Sequence, residues 1–178
     1  LQKDKSFFLK IVQANNLEFL KYVSKELRND RDFQMLLGKE DLKLRRQLYD
    51  GQDNFALIRS LDRIGKFLFK LRWYEDALEL KKEALERVRR YFTRQDHPSL
   101  IGWLRSVANT LHKLKRYEEA LVLYEEALRI ERGHYKGKYP RNLVRLLNKK
   151  AVTLRELMRY EEALELDKEV VEIVRGNH

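Results

Sequence analysis

From residue 57 onward, apolar residues recur three and four positions apart, the period of an α-helix with one buried stripe. Leu57, Leu61, Gly65 and Leu68 make one stripe, which returns as Leu100, Leu104, Ala108 and Leu111 and again as Leu143, Leu147, Ala151 and Leu154. The shift is 43 residues each time. Behind each stripe comes a second repeated element: Trp73-Tyr74-Glu75-Asp76-Ala77-Leu78-Glu79-Leu80 returns from Arg116 to Leu123 and from Arg159 to Leu166. Two helical stripes per period, joined by a short turn, predict three antiparallel helix hairpins. In each, the small residue at 65, 108 or 151 lets the second helix approach closely at Ala77, Ala120 or Ala163. Enlarging such an alanine should overpack the hairpin at about 1–3 kcal/mol. Tyr74, Tyr117 and Tyr160 open the second helices at the turn, where the ring packs and the hydroxyl reaches outward.

Residues 1–50 follow another pattern. Asp4-Lys5 opens an apolar helix, Asn15-Asn16 breaks it, residues 17–28 form another, and Asn29-Asp30 restarts the cycle with a period of 26. Such Asn and Asp residues cap helix starts, so short helices are expected to cover the apolar side of the first hairpin. Gly38, Asp50 and Gly51 mark the joints. The expected organisation is a cap at 1–52 followed by three repeats over 53–178, at about 53–95, 96–138 and 139–175.

The small-residue pair twelve positions apart and the turn Tyr-Glu-Glu-Ala-Leu resemble tetratricopeptide repeats. The long period, with His97-Pro98 and Tyr139-Pro140 before the second and third hairpins, resembles the variant found in kinesin light chains and nephrocystin-like proteins. Asn148 stands where that variant often has asparagine, whereas Arg105 replaces it in the second repeat. The likeness covers 53–175 and implies an all-α, right-handed superhelical solenoid that binds another protein. Residues 22–30 resemble a short helical repeat of unknown function known from bacterial and protist proteins, which implies no activity.

Composition narrows the possibilities. The chain has 178 residues with 43% apolar content, enough for one core, and no cysteine, which removes disulfides and thiolate metal sites. No apolar run approaches the ~20 residues that span a bilayer. A cytoplasmic location is expected, or a host-cell cytosol for a bacterial effector. The start at Leu1 and the close on Gly176-Asn177-His178 after an apolar face suggest a piece of a longer protein. A net charge of +10 is spread along the chain and favours acidic partners.

If the family register holds, the first helix of each repeat lines the concave surface. Repeat one then offers Arg59, Asp62, Lys66, Phe69 and Lys70; repeat two offers Gly102, Arg105, Asn109, His112 and Lys113. Repeat three adds Arg145, Asn148, Val152, Arg155 and Glu156. Arginine forks with asparagine amides suit an extended acidic peptide. Arg105, Asn109 and Asn148 also resemble part of the carboxylate clamp of chaperone-binding tetratricopeptide domains, although Lys149 stands where the clamp has asparagine. A solvated basic surface is the plain alternative.

Residues 129–141 interleave basic and aromatic side chains around Gly133 and Gly137, as a loop that grips phosphates or as a solvated connection between repeats. A nucleic-acid-binding solenoid is therefore the rival class, and a regulatory arm of a larger enzyme a third. The histidines 97, 112, 134 and 178 lack metal-ligand spacing, and no phosphate loop or nucleophile elbow occurs, so no metal, cofactor or catalysis is expected. The last helix leaves Leu166, Val170, Val171, Ile173 and Val174 without a following helix, so self-association through that end is expected.

Overall fold

The computed structural model describes residues 35, 38–39, 42–43, 46–49, 54–92, 94–134 and 141–176. Among them six helices are bounded: α1 (Phe55–Lys70), α2 (Tyr74–Tyr91), α3 (Leu100–Lys113), α4 (Tyr117–His134), α5 (Arg141–Glu156) and α6 (Tyr160–Arg175). They form three antiparallel hairpins, α1/α2, α3/α4 and α5/α6, and each hairpin packs on the next through α2 against α3 and α4 against α5. The result is an all-helical repeat solenoid.

The hairpin turns are built alike. Arg72, Lys115 and Met158, again 43 residues apart, adopt positive φ of 65°, 59° and 59°. The next residue in each case donates its backbone N–H back into the helix: Trp73 to Leu68 O at 3.1 Å, Arg116 to Leu111 O at 2.9 Å and Arg159 to Leu154 O at 3.0 Å. This closes the helix end by a left-handed C-terminal cap and reverses the chain within three residues. At the other end of α1, Asn54 Oδ1 accepts from Ala56 N–H at 2.7 Å and caps the first turn.

The predicted small-residue contacts are present, with Ala77, Ala108, Ala120, Ala151 and Ala163 all buried. Gly65 differs from its counterparts for a steric reason: a Cβ there would lie 2.9 Å from Lys81 Cγ and 3.4 Å from Ala77 O. The main core runs through hairpins one to three, from Ile58 and Leu78 to Leu146, Leu147 and Ile173.

Outside this core the hairpins are laced by ion pairs between residues 37 apart. Arg46 pairs with Glu83, Arg89 with Glu126 at 2.5 Å, and Arg132 with Glu169 at 2.7 Å. The three arginines are themselves 43 residues apart, so Arg46 continues the register of the second helices upstream of α1. Met35 and Leu42 are buried against Leu57, Leu61, Ile64 and Leu68. The expected N-terminal cap falls largely on residues 1–34, which lie outside the described residues.

Two expectations change. The basic stretch expected as a loop over 129–141 is helical through His134, inside α4, and Arg141 opens α5, while 135–140 lie outside the described residues. At the C-terminal end, Ile173 is buried and Leu166 and Val170 pack against the core, because α6 folds back on α5. The apolar residues left exposed there are Leu164, Val171 and Val174.

Candidate functional site

The first helices α1, α3 and α5 share one face of the solenoid, and α3 and α5 touch directly. Two recesses open on that face. The larger, about 1040 Å³, is lined by Arg59, Asp62, Lys66 and Lys70 together with Phe55, Arg63, Phe67 and Trp103. The smaller, about 510 Å³, brings Phe69, Asn109, His112, Lys113 and Val152 together with Lys81, Ser106 and Lys149. Arg105, Arg145 and Asn148, and Gly102, Arg155 and Glu156, line neither.

The cations of this face divide into paired and unpaired. Lys66 is held by Asp62 at 2.5 Å, one turn away, and Arg155 by Asp167 of α6. Arg59, Lys70, Arg105, Lys113, Arg145 and Lys149 meet no carboxylate of the described residues at ion-pair distance. Arg105 is half-buried, and its burial, followed by the nearby Arg145 charge, lowers its pKa from the usual arginine value; Tyr124 and Glu131 oppose the shift. The charged form of Arg105 is thus disfavoured chiefly by its own burial.

The polar side chains beneath are oriented by the fold. Tyr124 is buried and donates its hydroxyl to Asn109 Oδ1 at 2.9 Å, which leaves the Asn109 amide hydrogens as donors. Thr153 donates to Lys149 O at 2.9 Å, so its oxygen accepts from His112 Nδ1, 3.1 Å away, and fixes that ring's tautomer. Burial lowers the His112 pKa, with Glu156 opposing, so the ring is neutral at physiological pH.

One residue was not anticipated. Lys81, on α2, is only 5% exposed yet lines the smaller recess. Its ammonium donates to Thr110 Oγ1 at 2.8 Å and sits 4.3 Å from the centre of the Phe69 ring. Burial pulls its pKa down to about 8, against the opposing pull of Asp62. Stripe counting assigns lysines to helix exteriors, but the 43-residue register aligns Lys81 with the buried Tyr124 and with Asp167, and that alignment was the available signal. Among the described residues no three His, Cys, Asp or Glu side chains converge as a metal site, and no helix is long and apolar enough to cross a membrane.

Solved structures share this architecture. The crystal structure of BtubC (BKLC) from P. vanneervenii superposes with a TM-score of 0.72 at 16% identity, covering 82% of this chain and 57% of that one. The present chain therefore spans little more than half of that relative. The nearly identical TPR-like repeats of a Podosopora anserina protein assigned as a kinesin light chain give 0.72 at 13% identity, covering 99% and 90% of the two chains. The Rap protein complexed with competence and sporulation factor gives 0.63 at 16% identity, covering 98% and 51%. No curated protein sequence matches the chain. Residues 56–133 and 143–175 both match the tetratricopeptide repeat family, and with its hairpins, caps and register reproduced, the chain belongs to that family.

Proposed function

We propose that the chain is a protein-interaction scaffold that receives an acidic, extended segment of a partner on its first-helix face. The observation that carries this reading is the row of cations on α1, α3 and α5 left without carboxylates among the described residues, Arg59, Lys70, Arg105, Lys113, Arg145 and Lys149, while Glu126 and Glu169 of the second helices are paired with arginines of the preceding hairpin and Glu83 with Arg46 upstream of α1. A charge paired within the fold stabilises the fold; an unpaired one in a recess is available to a ligand. Rap, which shares the fold, is seen in complex with competence and sporulation factor, an example of this architecture holding a partner. Binding is the role this geometry suits, because the recesses gather cations and amide donors. Residues 1–52 act in this reading as the cap of the first hairpin.

The test is a fluorescence-polarisation titration of acidic peptides and of single-stranded RNA with wild type and Arg105→Glu/Arg145→Glu at two salt concentrations. Peptide binding that the double variant loses supports the reading. Preferential RNA binding that weakens steeply with salt would replace it with the nucleic-acid class.

A further inference from the structure

Resting on that reading, we infer that the recess between Phe69, Lys81, Asn109 and Lys113 is a subsite for one carboxylate of the bound segment, with the Lys81 ammonium at its floor.

Lysine is among the residues least often fully buried, and a buried ammonium ordinarily has a carboxylate beside it. Lys81 has none at ion-pair distance among the described residues; Asp62, which acts on its charge from farther off, is itself paired with Lys66. An ammonium has three N–H donors. One goes to Thr110 Oγ1, whose own proton is committed to Ser106 O at 2.9 Å, and the Phe69 ring face attracts the cation without accepting a full hydrogen bond. Donor capacity therefore remains on a group that lines an open recess.

The surroundings repeat the same polarity. Asn109 has its carbonyl oxygen occupied by Tyr124, so the amide hydrogens are what it offers. Lys113 and Lys149 line the same recess and pair with no described carboxylate. Their convergence supplies donors and positive charge with no anion in the lining, while Phe69 and Val152 add apolar surface. A carboxylate is a small acceptor-only group that takes several such donors at once.

The backbone has been fitted to this lysine. Gly65 is the only repeat position of its kind without a Cβ, its counterparts being Ala108 and Ala151, and a Cβ there would strike the Lys81 stem at 2.9 Å. Sequence and packing thus both make room for a charged side chain where the second repeat places Tyr124. The carboxylate can come from an Asp or Glu side chain or from a chain terminus, and the chemistry of the recess is the same for both.

The experiment uses a fluorescein-labelled tetraglutamate peptide, C-terminally amidated, with the full chain, its Lys81→Met and Lys81→Gln variants, and Arg105→Glu/Arg145→Glu. Circular dichroism confirms that each variant is folded, and the lysine side-chain NMR signals of Lys81 are followed with and without peptide. The expected result is a loss of at least about tenfold in affinity for both Lys81 variants, as for a lost charge-assisted hydrogen bond. The Lys81 signal should also titrate at higher pH when peptide is bound, while Asp62 and Lys66 on α1, His112 and Lys113 on α3 and Lys149 on α5 keep their places around it. Wild-type affinity in folded Lys81 variants, with an unmoved Lys81 signal, overturns the subsite while the groove survives, provided the double variant still fails to bind. No binding by wild type overturns the groove and the subsite together. Competition by unlabelled peptide with a free C-terminus and by its amide separates the two sources: equal competition assigns a side-chain carboxylate, and stronger competition by the free terminus assigns the chain end.

Discussion

The second helices and the first helices of this solenoid carry charge in opposite ways. On the second helices, arginine and glutamate recur at fixed register, and Arg89–Glu126 and Arg132–Glu169 tie one hairpin to the next. On the first helices, Lys113 and Lys149, which line the smaller recess, and Arg105 and Arg145, which lie outside it, meet no carboxylate of the described residues at ion-pair distance. Both faces are rich in cations, so composition alone does not separate them; pairing does. The paired face holds the stack in register at small gain, since exposed ion pairs each contribute about 0.2–1 kcal/mol. The cations left unpaired on the first helices are the ones that the proposed partner segment would meet.

Lys81 sharpens the contrast most, because it is a second-helix residue whose charge is buried towards the first-helix face. Its pKa is held at about 8 against the ordinary lysine value of 10.5. Between those pH values the unfolded chain binds more protons than the folded one, so stability rises with pH across that window. The expected gain is about 2–3 kcal/mol relative to Lys81→Met, which lacks the group. Urea unfolding of both proteins at pH 7.5 and pH 10 measures it; parallel behaviour of the two would contradict the burial of a charged amine.

Gly65 gives the next largest effect. Alanine there should destabilise wild type by about 1–2 kcal/mol through contact with the Lys81 stem. In a Lys81→Ala background the same change should be neutral or stabilising by up to about 1 kcal/mol, because alanine favours helix over glycine. A double-mutant cycle reads the coupling, and additivity of the two changes would separate the glycine from the lysine.

Tyr124→Phe should cost about 1 kcal/mol in unfolding measurements, since it removes the hydrogen bond to Asn109 and leaves a half-buried acceptor without that donor. Smallest of all, Arg89→Ala should cost less than about 1 kcal/mol, and less again in high salt, because Arg89 is an exposed partner of Glu126. A large or salt-independent loss there would mean that the second-helix lacing matters more than its exposure allows.

Much of this architecture was legible in the residues. The stripes at Leu57, Leu100 and Leu143 and the small pairs from Gly65 with Ala77 to Ala151 with Ala163 encode the hairpins directly, because helix period and close approach are local properties. The turn geometry was hidden, since Arg72, Lys115 and Met158 share a left-handed backbone that their side chains do not advertise. Of the first-helix cations, the pairing of Lys66 with Asp62 was visible at four-residue spacing, whereas Arg155 with Asp167 required knowing how α5 and α6 face each other. Arg46 was invisible as a register residue until its ion pair with Glu83 placed it 43 residues before Arg89. The open C-terminal end was anticipated in kind but not in detail: Ile173 turns inward, while Leu164 is left 54% exposed where Leu121 of the preceding hairpin is buried.

The most direct test of the contrast is a titration of the same labelled acidic peptide against two charge reversals of equal size. Arg105→Glu/Arg145→Glu alters the unpaired face, and Arg89→Glu/Arg132→Glu alters the paired one. The expected result is a loss of about 100-fold or more for the first and a change within about threefold for the second, because only the first removes charges available to the ligand. Equal losses in two folded variants would show that the peptide responds to net charge alone, and would contradict a binding face formed by the first helices.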